Sequence, residues 1–293
     1  MTTTTLSVFF SLSTALVVGS FTLFVRSGQR HANAVSGVLI GLIVSMPPLL
    51  VGAVWTWESA HYQPLGWLFF ALAGVAGPAV GRVCFFHSIH LMGVARAVPL
   101  NSTMPLFSAI AGIYVLGERP GLYILAGTML IVLGCMGITA KRGEAQPIRR
   151  SDLLIALGSV VFFSVSHMLR KLGVGASPNP FLGISIMSVA GGVFLYVFGQ
   201  YLPPGLRPSL MVKKAWVAYS IGGLLNTLSV LLHLYGLRYG DLTIVIPLAA
   251  TAPLWALLLT AIFLRKIESI TWPILLGTVA VVVGGALVAG RAL

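Results

Sequence analysis

The feature that most limits what this chain can fold into is the recurrence of nearly uncharged apolar segments of one length. Ten of them run between charged clusters: 6–25, 34–57, 65–89, 94–116, 121–140, 152–170, 180–201, 214–236, 242–264 and 270–289. About 20 apolar residues suffice for a helix to cross a hydrocarbon core of about 30 Å. Backbone in lipid must satisfy its own hydrogen bonds, so each segment is expected to be a helix. Composition agrees: 57% of 293 residues are hydrophobic, 8% are charged, and mean hydropathy is +0.98. That is too little polar surface for a soluble domain. The expected fold class is therefore an all-α, multi-pass membrane protein of ten transmembrane helices, located in the plasma or inner membrane. Residues 1–5 hold no Lys or Arg, unlike the start of a signal peptide, so segment 6–25 reads as the first helix. The connections are too short for a soluble domain, which puts function within the helices.

The chain also contains itself twice. Pro99-Leu100-Asn101-Ser102-Thr103-Met104-Pro105 matches Pro247-Leu248-Ala249-Ala250-Thr251-Ala252-Pro253 at an offset of 148 residues. Further on, Glu118, Gly127, Thr128 and Gly134 match Glu268, Gly277, Thr278 and Gly284, while Ser20 and Arg26 match Ser164 and Arg170. Residues 1–142 form one five-helix unit and 152–293 the other, joined by the polar linker 143–151. With an odd number of helices per unit, the second copy enters the membrane from the opposite side. The expectation is an inverted-topology repeat with a site between the halves and alternating access by exchange of conformations.

The Pro-containing fourth helix, the Gly117-Glu118-Arg119-Pro120 corner and the Gly-rich fifth helix resemble the EamA-type branch of the drug/metabolite transporter superfamily. The resemblance covers nearly the whole chain. It implies ten helices around a cavity between the repeats and secondary transport of small organic solutes, often export. Exporters of cationic compounds in that superfamily usually carry a membrane-embedded glutamate in helix 1. No acid occurs in residues 1–57 here, which argues against export of organic cations.

Net charge is +12, from 18 Lys and Arg against 6 Asp and Glu. The basic residues fall mainly at helix ends, where they meet lipid head groups, so the bilayer rather than nucleic acid is the expected partner. Twelve of them fall in the odd-numbered loops, against five (Arg119, Arg170, Lys171, Arg238 and Arg291) on the opposite face. That count places both termini outside. Cys84 and Cys135 lie within spans and suggest no disulfide framework.

Candidate substrate-binding residues follow from what is unusual inside a span. Pro99, Pro105, Pro247 and Pro253 each remove an N–H and leave a carbonyl to be satisfied. The hydroxyls of Ser102, Thr103 and Thr251 are placed to do this, either as packing devices or, with Asn101, as walls of a central cavity. Arg82 stands well inside the third helix, where a guanidinium costs about 2.5–3.5 kcal/mol near the bilayer centre. Its repeat counterpart is Val230, so the architecture does not demand a charge there. Pro78, one turn earlier and opposite Asn226 in the repeat, is expected to free the carbonyl of Gly74. Arg82 either snorkels to head groups or binds an anionic substrate group between the halves.

Cys84, His87 and His90 lie three apart, but without an acid at membrane depth they do not suggest a metal site. His87 is kept as a substrate-binding candidate. His167 and His233 read as isolated histidines near helix ends. Trp255 packs in the core or stacks on a flat ligand. Gly37, Gly41, Gly74, Gly77 and Gly81 allow close helix approach, within the monomer or in a homodimer.

The leading function is a secondary transporter, working as an exporter, of a small organic metabolite that is amino acid-like or anionic. At 100 mV, a negative interior favours anion exit by about 2.3 kcal/mol per charge without a proton partner. A lipid-handling flippase of the same fold and a non-transporting structural membrane protein are the alternatives. No catalytic motif, ATP-binding loop or cofactor signature is present, so the chain reads as neither an enzyme nor a pump.

Overall fold

A computed structural model describes residues 2–28, 32–58, 62–139, 149–211, 213–263 and 272–292. Side chains at 22–28, 94, 95, 215, 260–263, 291 and 292 are outside that description, as are most of the linker 140–148 and Arg30, His61, Arg265, Lys266 and Glu268. Thirteen α-helices are found among the described residues: α1 (Thr3–Gly28), α2 (Ala34–Trp55), α3 (Pro64–Gly74), α4 (Arg82–Met92), α5 (Val94–Asn101), α6 (Met104–Tyr114), α7 (Leu122–Thr139), α8 (Arg150–Ala176), α9 (Pro180–Phe198), α10 (Lys213–Tyr239), α11 (Leu242–Ala249), α12 (Ala252–Phe263) and α13 (Trp272–Ala292).

Nine helical segments among the described residues are long and apolar enough to cross a membrane, one fewer than the ten expected. The difference lies at 94–116. Pro99 and Pro105 break that segment into α5 and α6 around a turn at Ser102 and Thr103, and Arg96, Asn101, Ser102 and Thr103 make it less apolar than its repeat counterpart Leu242–Leu259, which is broken in the same way. The matching Pro247/Pro253 motif breaks α11 from α12 at Ala250 and Thr251. The hydroxyls at the breaks do not go to the carbonyls four residues before the prolines, as expected, but to carbonyls that also accept a backbone N–H of the turn. Thr103 Oγ1 donates to Leu100 O and Thr251 Oγ1 to Leu248 O, each at 2.7 Å, and Ser102 Oγ donates to Val98 O at 3.1 Å.

The bundle buries many serines within its apolar core and is greasy outside, unlike a soluble protein. Ser7, Ser11, Ser36, Ser45, Ser108 and Ser166 are fully buried, while Val51, Val54, Leu122, Leu154 and Val217 are widely exposed. Lipid as solvent accounts for both.

Helix contacts repeat under exchange of the halves. α1 packs on α10 as α3, α4 and the π-helical turn between them pack on α8; α7 packs on α13 and α2 on α9. Glycines permit the closest approaches. A Cβ added at Gly127 would lie 2.7 Å from Gly284 O, and one at Gly134 would lie 2.6 Å from Gly277 O. As the number rises along α7 it falls along α13, so these two helices run antiparallel. Gly41 meets Gly223, Gly74 meets Met187, and Gly37 faces the Tyr219 ring, which engages the small residues of the second and third spans inside this chain.

Glu118 ties the halves together at one end. Its Oε1 accepts from Leu242 N at 2.7 Å and Oε2 from Thr243 N at 2.9 Å, occupying free donors at the start of α11. Gly117, at φ 70°, makes the corner that delivers the carboxylate. Its repeat counterpart Glu268 lies outside the described residues.

Candidate functional site

The third span is not a regular helix. Val75–Gly81 forms a π-helical turn between α3 and α4, with Pro78 inside it, and the N–H of Arg82 reaches back five residues to Gly77 O. Such insertions recur at functional sites because they redirect the side chains that follow. In this register Pro78 fails to supply a donor to Ala73, five residues back, rather than to Gly74 as expected. Ser166 of α8 repairs the loss, its Oγ donating to Ala73 O at 2.8 Å.

Arg170 is next on this side of α8. The sequence reading ended the sixth span at 170 and counted Arg170 as a loop charge. The helix continues to Ala176, and Arg170 is only 7% exposed. The error came from reading Arg170 and Lys171 as a boundary. Lys171 does cap a helix end, donating to Leu237 O at 2.8 Å and Gly240 O at 2.6 Å, but Arg170 faces inward. One Nη of Arg170 comes within 3.5 Å of where a Cβ on Gly77 would stand.

Arg82, half-buried in the first half, acts electrostatically on Arg170 in the second. The charges of two guanidinium groups, one from each half, thus act on each other. Among the described residues neither side chain forms a hydrogen bond or ion pair, and Arg170 Nε is buried without a partner. Burying an unpaired charge costs several kcal/mol, so a buried guanidinium with a second positive charge acting on it suggests a missing counter-charge.

Other expected site residues divide. His87 Nδ1 and Asn101 Oδ1 are buried and unpartnered, as is Ser108 Oγ of α6; the helices that carry them, α4, α5 and α6, all pack on α8. Ser102, Thr103 and Thr251 are committed to carbonyls of their own segments, and no hydrogen bond joins Thr103 to Thr251 among the described residues. Asn226 is half-buried on α10, its carbonyl accepting from Ser229 Oγ at 2.6 Å. Trp255 is half-buried, with its Cβ against Gly19 of α1. An open surface recess lined by Leu210, Met211, Lys213 and Trp216 contains none of the expected site residues.

His167 and His233 are not the isolated residues the sequence suggested. His167 Nδ1 of α8 lies 3.1 Å from His233 Nε2 of α10, and the Arg170 charge acts on both rings. The one sequence signal for Arg170 was its repeat match to Arg26, which pointed to a helical position. Nothing in the sequence paired the histidines.

Comparison with known proteins fits this architecture. The family model described as the EamA-like transporter family matches residues 5–140 and again 150–290. Relatives provisionally named ribose uptake protein RbsU occur in Lactiplantibacillus plantarum, Enterococcus faecalis and Staphylococcus aureus. The first is 24% identical over 60% of this chain and 63% of its own length. The second is 25% identical over 61% and 63%. The third, strain Mu50, is 27% identical over 48% and 50%. The matches thus span between half and two thirds of these relatives. One solved crystal structure matches 98% of this chain and 97% of its own, with a TM-score of 0.78 at 17% identity, which shows a shared fold. With both stretches matched, this chain belongs to the EamA-like transporter family.

Proposed function

We propose that the chain is a secondary transporter that exports a small anionic organic metabolite by alternating access, holding its negative group between Arg82 and Arg170. The observation that carries this reading is the burial of Arg170 against Gly77 of the third span, its Nε without a partner and the Arg82 charge acting on it, with no carboxylate partner for either side chain among the described residues. A bound carboxylate supplies the missing charge and gives the guanidinium forks the acceptors they lack.

The mechanism rests on two inverted five-helix repeats, 1–142 and 152–293, joined by the linker 143–151. The antiparallel, reciprocal glycine contacts of α7 with α13 support that relation, because these helices are repeat counterparts. Arg82 and Arg170 come from non-equivalent places in the two repeats, so exchanging the repeats' conformations shifts them differently and opens the site to one side at a time. With Arg170 removed from the loop count, the basic excess still favours both termini outside, at twelve against four.

A second reading, uptake of a neutral sugar, is favoured by the names of the relatives. Two unpaired cations whose charges act on each other argue against it, since a neutral ligand leaves both charges uncompensated.

Purified protein in liposomes, with radiolabelled succinate, glutamate, alanine and ribose outside, separates the readings. Succinate or glutamate flux is expected to exceed ribose flux, to vanish in Arg82→Gln and Arg170→Gln, and to persist in part in Arg82→Lys. Ribose flux that Arg82→Gln leaves unchanged would refute the anion reading. Scrambling of labelled lipid without solute flux would favour the flippase.

A further inference from the structure

Beside the two arginines stands a group that anion binding does not require. The rings of His167 and His233 lie 4.8 Å apart between centroids, tilted by 59°, with 3.1 Å between Nδ1 of the first and Nε2 of the second. His233 is 3% exposed. At that distance one N–H lies between the two nitrogens.

The proton inventory then follows from imidazole chemistry. A neutral imidazole carries one N–H and one bare nitrogen. If His167 Nδ1 donates, its Nε2 is bare and His233 holds its hydrogen on Nδ1. If His233 Nε2 donates, its Nδ1 is bare and His167 holds its hydrogen on Nε2. Either way one outer nitrogen is free to accept a proton, and the central hydrogen bond survives. A second added proton would set two N–H donors facing each other. The pair therefore takes one proton and no more.

The surrounding charges determine when. On α8, Arg170 acts on both rings, and Lys171 is committed to Leu237 O and Gly240 O. On α4, Arg82 acts on Arg170, with Cys84, His87 and His90 further along the same helix. On α10, Tyr235, Arg238 and Tyr239 lie beyond His233, and Arg238 donates to Pro178 O at 3.0 Å. The helices packed against α8 and α10 add Arg26 of α1, Arg96 of α5, Tyr114 of α6 and Tyr196 of α9; α2, α3 and α11 add no titratable side chain. None of these helices contributes a carboxylate; Asp152, in the first turn of α8, lies about 22 Å from His167 along its axis. In the empty carrier a proton on the pair makes a third positive charge beside two arginines. An anion on the guanidinium groups compensates that charge.

We propose that the His167–His233 pair binds one proton together with the anion, so that the protein is an anion–proton symporter. This rests on the anion reading above and adds the proton partner that the sequence reading did without. The proton comes from water on the loading side, occupies the bare outer ring nitrogen, and returns to water on the far side when the anion leaves. A monovalent anion then crosses without net charge, and the direction of flux follows the combined concentration gradients of the anion and the proton, independent of the membrane potential.

The test uses the purified full chain in liposomes enclosing a pH-sensitive dye, with radiolabelled glutamate and succinate as probes. Net flux reports the complete cycle. Counterflow, with probe on both sides, needs no net proton movement. The wild type is expected to acidify the lumen by one proton per probe molecule entering, above protein-free liposomes. His233→Gln and His167→Asn, eluting as the wild type does on size exclusion, are expected to hold counterflow within about twofold and lose at least tenfold in probe-driven proton flux. Wild-type counterflow without acidification would overturn the proton site and leave the anion reading standing. Variants that lose counterflow and proton flux together would overturn it too, because the pair would then serve binding. Absence of wild-type counterflow with either probe would overturn both.

Discussion

The α7–α13 seam allows a prediction in which two adjacent residues behave oppositely. A Cβ at Gly284 would lie 2.6 Å from Gly127 O, 2.9 Å from Ile131 N and 3.0 Å from Ile131 Cγ1; one at Gly285 would meet nothing within 4 Å. An ordinary contact is 3.4 Å or more, so Gly284→Ala requires the helices to separate by about 0.8 Å. The obstacle is backbone, which cannot rotate aside. Overpacking of this kind costs about 1–3 kcal/mol. Both substitutions gain about 1 kcal/mol of helix propensity. Gly284→Ala is therefore expected to be destabilised by up to about 2 kcal/mol and Gly285→Ala to be stabilised by up to about 1 kcal/mol. In detergent, tryptophan-fluorescence melts should separate the two by on the order of 5 °C. If Gly284→Ala melts at or above Gly285→Ala, the seam is not as tight as described and the antiparallel pairing that supports the inverted repeat loses its footing.

Three further outcomes follow. Glu118→Ala removes both carboxylate bonds to Leu242 N and Thr243 N and is expected to cost about 3 kcal/mol or more, seen as a lower melting midpoint, with Glu118→Gln recovering only part because one oxygen becomes a donor. Thr103→Val and Thr251→Val each lose one hydroxyl bond to their own segment, so purified yield and midpoint should fall by an amount equivalent to about 1 kcal/mol, while flux per folded molecule stays near wild type; a larger loss of flux than of protein would return both to the binding site. On a Cys84→Ala, Cys135→Ala background, Gln146→Cys should react only with reagents that reach the cytoplasm and Gln63→Cys with impermeant reagents from outside; the reverse labelling would overturn the sidedness read from the basic residues.

The spans, the duplication and the helix breaks were legible in the sequence because each is a local property. Transfer of about 20 residues into lipid depends on their composition alone. A proline withdraws its N–H whatever surrounds it, so Pro99 and Pro247 marked their breaks, whereas the carbonyls that Ser102, Thr103 and Thr251 would meet were not legible. The depth and direction of a polar side chain were not legible. In a soluble protein the 3.6-residue period separates core from water, but here both lipid and bundle interior are apolar, so the stripe that would show which face of α8 looks inward is faint. Arg170 thus passed for a loop charge beside Lys171, and His167 and His233, 66 positions apart, passed for unrelated residues. Only the tertiary structure set the Arg82 charge to act on a buried Arg170, joined the two imidazoles, and gave Ser166 the carbonyl that Pro78 left open. The physical reason is that these relations depend on how closely the third span, α8 and α10 approach, and that closeness rests on contacts such as Gly77 against Ser166 and Gly173 against Phe70, which exist only once both halves have folded against each other.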